Sequence, residues 1–273
     1  MRFILAAIAL CFGMTAADAA SETELRRLET GVDSRGWEGV GRLDVGGKGF
    51  CTGALVAPDL VLTAAHCLFD KETGERVDLD QMEFLAGWRN GRALAYRGIR
   101  RAVTHPSYRY DRSEGPERVR LDLALLELVQ PIRNTQVTPF PTAPLPHRGA
   151  EVGVVSYAYD RAEAPSLQEV CNVMSVQDGV IVLSCDVDFG SSGAPIFQIT
   201  PYGAKIVSVV AAKAEVNGDP VALGSDLSLA YRELRAELEM DNVRNTMGAK
   251  GPRHVIVGQN THSNGTGAKF IRP

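Results

Sequence analysis

The sequence predicts an all-β protein closed by one C-terminal α-helix. Short apolar or alternating runs rich in β-branched residues recur along the chain: GALVAP, LVLTAA, MEFLAGW, IRRAVTH, LALLEL, VGVVSYAY, VIVLSC and KIVSVVAA. Gly, Pro and Asp separate them at intervals that suit antiparallel strands. Helical periodicity is almost absent until Leu227, Tyr231, Leu234 and Leu238, which fall on one helical face with Ser225 or Asp226 available as N-cap.

A chain of 273 residues can bury one large core or two smaller ones. Residues 131–149 carry five prolines, which few strands tolerate, and separate two β-rich halves of similar size. The organisation expected is a signal peptide at 1–19, a polar lead-in at 20–36 and an N-terminal β-barrel at 37–135. A C-terminal β-barrel with its helix at 136–247 and an extended tail at 248–273 complete it. Hydrophobic content of 45% and charged content of 23% argue against disorder. The net charge of −4 gives no basis for nucleic-acid binding. The basic cluster Arg97, Arg100, Arg101, Arg109 and Arg112 reads as a solvated face interleaved with acids.

Within MRFILAAIALCFGMTAADAA, Arg2 supplies the positive end, Phe3 to Met14 an apolar run too short to span a bilayer, and Ala17-Asp18-Ala19 a small-x-small cleavage site. Export to a periplasm or the outside of the cell is expected, with no membrane anchor. Removing that segment takes Cys11 with it and leaves Cys51, Cys67, Cys171 and Cys185, an even set that reads as two disulfides. Three pairings are possible, and proximity in sequence favours Cys51–Cys67 and Cys171–Cys185. A three-residue turn at Gln177-Asp178-Gly179 places Val176 opposite Val180. Counting outward then puts Cys171 opposite Cys185.

The chemistry centres on DFGSSGAP, residues 188–195. A serine hydroxyl is a poor nucleophile at neutral pH unless a base held in the right tautomer lies within hydrogen-bond reach. Of the five histidines, His105 precedes a proline, His147 lies in the linker, and His254 and His262 lie in the tail. His66 ends an apolar segment directly before Cys67. A Cys51–Cys67 bridge there would close a loop worth roughly 3 kcal/mol in the entropic treatment and hold the imidazole's backbone still. The carboxylate that orients such a base must be shielded from water. Asp122, between Leu121 and Leu123 at the head of an apolar strand, is the candidate, although a strand-end Asp can also simply cap a turn. Gly190 and Gly193 flank the serines and admit backbone conformations closed to other residues. The N–H groups of Gly190 and Ser192 could then converge on a developing oxyanion, at about 3 kcal/mol per donor.

TAAHC at 63–67, DLALL at 122–126 and GSSGAP at 190–195 occur in the order His, Asp, Ser. Together they resemble the signatures of the chymotrypsin-fold, trypsin-like serine endopeptidases. CTGALVAPDLVLTAAHC resembles that family's cysteine-bridged segment, THPSY the loop before its aspartate, and KIVSVVA the strand lining its substrate cleft. The resemblance runs from about Gly41 to the helix at 226–240. It implies two perpendicular six-stranded antiparallel β-barrels with the site between them. His66 is then general base, Asp122 its orienter, Ser192 the nucleophile, and Gly190 and Ser192 the oxyanion hole. An acyl-enzyme intermediate, protein or peptide substrates, no cofactor or metal, and a monomeric state follow from the same resemblance.

Two departures qualify it. Ser191 stands where digestive and clotting members have an Asp that pairs with the ammonium freed on activation. The lead-in around Val32 lacks a convincing activation sequence. Uncharged residues at this place resemble the bacterial glutamyl-endopeptidase-like branch. For specificity, Asp186 lies six residues before Ser192, the offset of a pocket-floor carboxylate that favours Arg or Lys. Val210, following Ser208 and Val209, would instead narrow the mouth and favour small side chains. The basic preference stands slightly ahead. The alternative function is an inactive relative that uses the same barrels as a binding module. A metallohydrolase is opposed by the absence of HExxH and by singly scattered histidines.

Overall fold

The structure, a computed structural model, describes residues 24–110 and 115–248. The expected signal peptide, Arg112, His254, His262 and the tail beyond Gly248 lie outside the described residues. After the two-residue strand β1 (Arg26–Arg27), β2 (Val40–Val45), β3 (Phe50–Ala57), β4 (Leu60–Thr63), β5 (Met82–Ala86), β6 (Ala95–Thr104) and β7 (Ala124–Leu128) form a closed barrel in the order β2-β3-β4-β7-β6-β5. The second ring comprises β8 (Glu151–Ser156), β9 (Ser166–Gln177), β10 (Val180–Leu183), β11 (Pro195–Thr200), β12 (Gly203–Val216) and β13 (Asp219–Asp226). These run in the order β9-β10-β13-β12-β11-β8, and β8 closes on β9. All pairings in both barrels are antiparallel. A short helix, α1 (Pro116–Leu121), precedes β7, and α2 (Leu227–Gly248) follows the last strand. Each of the eight apolar runs lies largely within a strand, because closure leaves one face of every strand against a filled interior.

The first barrel is filled by Leu43, Leu55, Val61, Phe84 and Leu126, and the second by Val154, Val173, Ile181, Ile196 and Val207. A third cluster draws on both barrels: Val40, Leu62 and Leu125 meet Val155, Leu167, Phe197 and Val209. Within it, Phe197 packs edge-on to Trp37 and Phe140, with ring centroids 5.0 and 4.8 Å away. Leu227, Leu234 and Leu238 of α2 are buried in the same layer, with Tyr231 partly so. Asp226, the last residue of β13, is the cap, since its Oδ1 accepts from the Ser228 N–H at 2.7 Å, whereas the Ser225 hydroxyl donates to Val119 O.

The proline-rich linker stays extended and ties the barrels together. Phe140 N–H donates to Leu55 O at 2.8 Å, and Ala143 N–H donates to Ile206 O at 2.8 Å. The polar lead-in is more integrated than its composition suggests. Arg26 and Arg27 pair with Leu167 and Ser166 of β9, and Leu28 is wholly buried in the shared cluster. Of the basic cluster, Arg100 and Arg101 both pair with Glu127, as a solvated, acid-interleaved face requires.

One register expectation needs correction. The β9–β10 turn has two residues, Asp178 and Gly179, both at positive φ, so Gln177 rather than Val176 faces Val180. A bulge opposite Val182 and Leu183 then absorbs Met174 and restores the expected count. Cys171 and Cys185 are bridged as anticipated, with Cα atoms 5.1 Å apart, and Cys51 is bridged to Cys67. Because Phe197 joins the two barrels, Phe197→Ala is expected to cost about 3–5 kcal/mol in urea unfolding. A loss below about 1 kcal/mol would show that the aromatic layer does not hold them together.

Candidate active site

Strand β4 runs out of the first barrel into a 3-10 turn, Ala65–Leu68, whose four residues are all buried. The Cys51–Cys67 bridge fixes this turn to β3. Asp122 arrives from the other side as the C-cap of α1, its N–H bonded to Val119 O at 3.2 Å. Its carboxylate, 1% exposed, is directed inward and engages His66 twice. Oδ1 accepts from the His66 backbone N–H at 2.8 Å, and Oδ2 lies 2.6 Å from Nδ1. An ionised carboxylate can only accept, so this contact assigns the hydrogen to Nδ1 and leaves the Nε2 lone pair as the basic position. Tyr108, from THPSY, is buried nearby. Burial first, and the negative charge of Asp122 second, push its phenol well above the ordinary tyrosine range.

The loop 188–195 comes from the second barrel and docks on the first. Thr52, on β3, holds it at several points. Its N–H donates to Ser192 O at 2.8 Å, and its hydroxyl donates to Gly190 O at 2.9 Å. The same hydroxyl accepts from Tyr157 N–H at 3.1 Å, and Thr52 O accepts from the Thr63 hydroxyl at 2.8 Å. Sequence reasoning passed over Thr52. Its only signal was a small hydroxyl residue beside Cys51 in an otherwise apolar run. Gly193 has φ +79°, and a Cβ there would lie 2.1 Å from Thr63 Oγ1 and 2.3 Å from Thr52 O. Gly190, at φ +100°, would drive a Cβ to 2.5 Å from the Phe50 ring. The serine loop is thereby seated against Thr63 and Ala64, three and two residues before His66.

The two serines differ. Ser191 is fully buried, donating its hydroxyl to Tyr157 O at 3.2 Å and accepting from Asp188 N–H at 3.3 Å. Ser192 is half-buried. Among the described residues, the N–H groups of Gly190 and Ser192 are not taken up by backbone carbonyls, which leaves both as donors. The cleft strand is anchored to the same loop: Gly193 N–H donates to Val210 O at 2.8 Å, and Val210 N–H to Ala194 O at 2.9 Å. Ser208 and Val210 depart from their expected place on the cleft wall: Ser208 is fully buried and donates to Ser225 O at 2.8 Å, and Val210, 2% exposed, packs in the core of the second barrel.

Asp186 departs from its expected role. A carboxylate that floors a pocket for a cation is enclosed, but Asp186 is exposed, and its N–H donates to Gln168 Oε1 at 2.8 Å. Cys185, bridged to Cys171, and the Asp186 N–H, bonded to Gln168, hold this end of the segment against β9 with Asp186 on the exposed side. His105 lies 3.5 Å from Glu233 of α2, and His147 is exposed beside Arg148 O, so neither reaches this site. Cys51, His66 and Cys67 bring potential metal-ligand atoms together, but both sulfurs are spent in the disulfide.

Two closed six-stranded antiparallel barrels with a C-terminal helix define a chymotrypsin-like fold. The model of the trypsin-like peptidase domain matches residues 51–201, more than half of the chain. The protein belongs to that family. A solved structure of a Glu endopeptidase in complex with MPD shares the fold, with a TM-score of 0.65 and 17% identity, covering 79% of this chain and 96% of the other.

Gly193→Ala is expected to lower activity by at least about 100-fold while the protein stays folded by circular dichroism, because the serine loop must lift off β3 and β4. Thr52→Val, which keeps the shape but removes the hydroxyl, is expected to lower kcat about tenfold or more with little change in KM. Unaltered kcat in both variants would contradict this account of the loop.

Proposed function

We propose that the protein is an exported serine endopeptidase that hydrolyses peptide bonds through Ser192, His66 and Asp122 and an acyl-enzyme intermediate. The observation that carries this reading is the buried Asp122 carboxylate accepting both N–H groups of His66, beside a serine loop docked on the same strands. In this mechanism Nε2 takes the Ser192 proton as Oγ attacks the scissile carbonyl. The N–H groups of Gly190 and Ser192 receive the oxyanion, and His66 returns the proton to the leaving amine. The uncommitted amides and the buried, fully bonded Ser191 support Ser192 as nucleophile. Two disulfides among the described residues are consistent with export.

A peptide fits the surroundings. Beyond Val210 the strand β12 pairs only with β13, so its other edge is open to an added strand among the described residues. A cavity of about 570 Å³ beside that strand combines apolar Val119, Val180, Ala211 and Leu223 with polar Arg118, Gln177 and Lys213, which suits side chains of mixed character on the acyl side. With Asp186 exposed, the carboxylate that a basic side chain would need is missing from its expected place, and the residue before the scissile bond is small and uncharged. Ser191 needs no charged partner, since backbone groups satisfy its hydroxyl, so activation by a freed ammonium is not required. The chain works as a monomer with the barrels divided near residues 135 and 136.

A peptide-library digest is expected to show cleavage after Ala, Ser or Val, insensitive to chelators and reduced about 10⁶-fold in Ser192→Ala. Cleavage confined to Arg and Lys would overturn the specificity, and activity surviving Ser192→Ala would overturn the mechanism.

A further inference from the structure

A second cavity, of about 660 Å³, opens on His66 and is bordered by the Cys51–Cys67 bridge, Phe50, Lys71 and Tyr159. In the peptidase reading, on which this inference rests, the acyl part of the substrate lies along β12. The leaving nitrogen takes its proton from His66. The chain after the scissile bond therefore departs over the cavity that His66 faces.

One side of that cavity, formed by Phe50 and Tyr159, is aromatic, and it is built against the oxyanion loop. Gly190 packs directly on the Phe50 ring, whose own surface is mostly buried, and the Arg42 guanidinium lies 4.3 Å from its centroid. Tyr159 leans on Phe50 with centroids 4.9 Å apart and planes tilted by 42°. Its N–H donates to Phe189 O at 2.9 Å, so the ring is held by the loop that carries Gly190. Yet Tyr159 is 58% exposed and Phe189 69% exposed. Lys71 Nζ lies 5.5 Å from the Phe189 ring and so connects the segment after His66 to the nucleophile loop across the cleft. Large aromatic surface placed on a fixed backbone and left in water gains only when something covers it. The cavity's charges do not compete as a recognition element, because both signs line it and Lys48 is engaged by Asp70 at 2.8 Å.

We propose that Tyr159 is a specificity-determining residue that seats an aromatic side chain from one of the first two residues after the scissile bond. The direct test is acyl transfer. The acyl-enzyme formed from a peptide ester is offered amino-acid and dipeptide amides. The amine attacks the ester carbonyl, the Ser192 Oγ–acyl bond breaks, and the amine proton passes through His66 to Oγ, giving a new amide and free enzyme. The transfer-to-hydrolysis ratio is expected to be about tenfold higher for Phe-amide or Gly-Phe-amide than for Gly-amide or Gly-Gly-amide. Tyr159→Phe should keep the preference and Tyr159→Ala should lose it, each ratio being normalised within its own variant. Equal capture of aromatic and glycine amides by the wild type, or a preference unchanged in Tyr159→Ala, would overturn the inference alone. Wild-type protein that never turns over the ester would overturn the peptidase reading and this inference with it.

Discussion

A buried carboxylate without partners would cost several kcal/mol, and that cost organises the centre of this molecule. Asp122 meets it by accepting two N–H groups from one residue, His66. The arrangement requires the end of α1 and the 3-10 turn after β4 to approach each other closely. Those segments are held by the pairing of β4 with β7 and by the Cys51–Cys67 bridge. Ring orientation, tautomer and backbone position are thus set by one charge.

The second requirement is that a loop from one barrel be registered against the other. Here the work falls to Thr52, which uses its N–H, hydroxyl and carbonyl to join β3, β4, the serine loop and the chain at Tyr157. The shared apolar layer around Phe197 brings the barrels together but has no direction of its own, since apolar contact tolerates sliding. Hydrogen bonds from a fixed strand convert that contact into a defined position for Ser192. The glycines at 190 and 193 permit the close approach, because any side chain there would meet Phe50 or Thr52.

Much of this was legible in the chain because it is local. Strands announce themselves by short β-branched runs, and the Asp226 cap and the helical face above it lie within a few residues of each other. The cysteine pairs could be favoured because each spans about one hairpin or one bridged loop. The hairpin register differs by one residue from the one the sequence predicts, since Asp178-Gly179 suffices for a tight turn and Met174 bulges out to compensate. The bond from Thr52 to Gly190 crosses 138 positions, so no local pattern could reveal it. Asp186 illustrates the reverse error: an offset counted along a loop does not say which way a residue faces, and the bond from its N–H to Gln168 leaves Asp186 on the exposed side. The docking of Leu28 beneath a polar lead-in was likewise hidden, because one apolar residue gives no periodicity.

The most direct test of the central claim is the site and rate of covalent labelling by a fluorophosphonate, mapped by mass spectrometry in the wild type and in Asp122→Asn. The account predicts one label, on Ser192, with a rate falling about 10⁴-fold when the carboxylate is replaced. A label on Ser191, or a rate indifferent to residue 122, would contradict it.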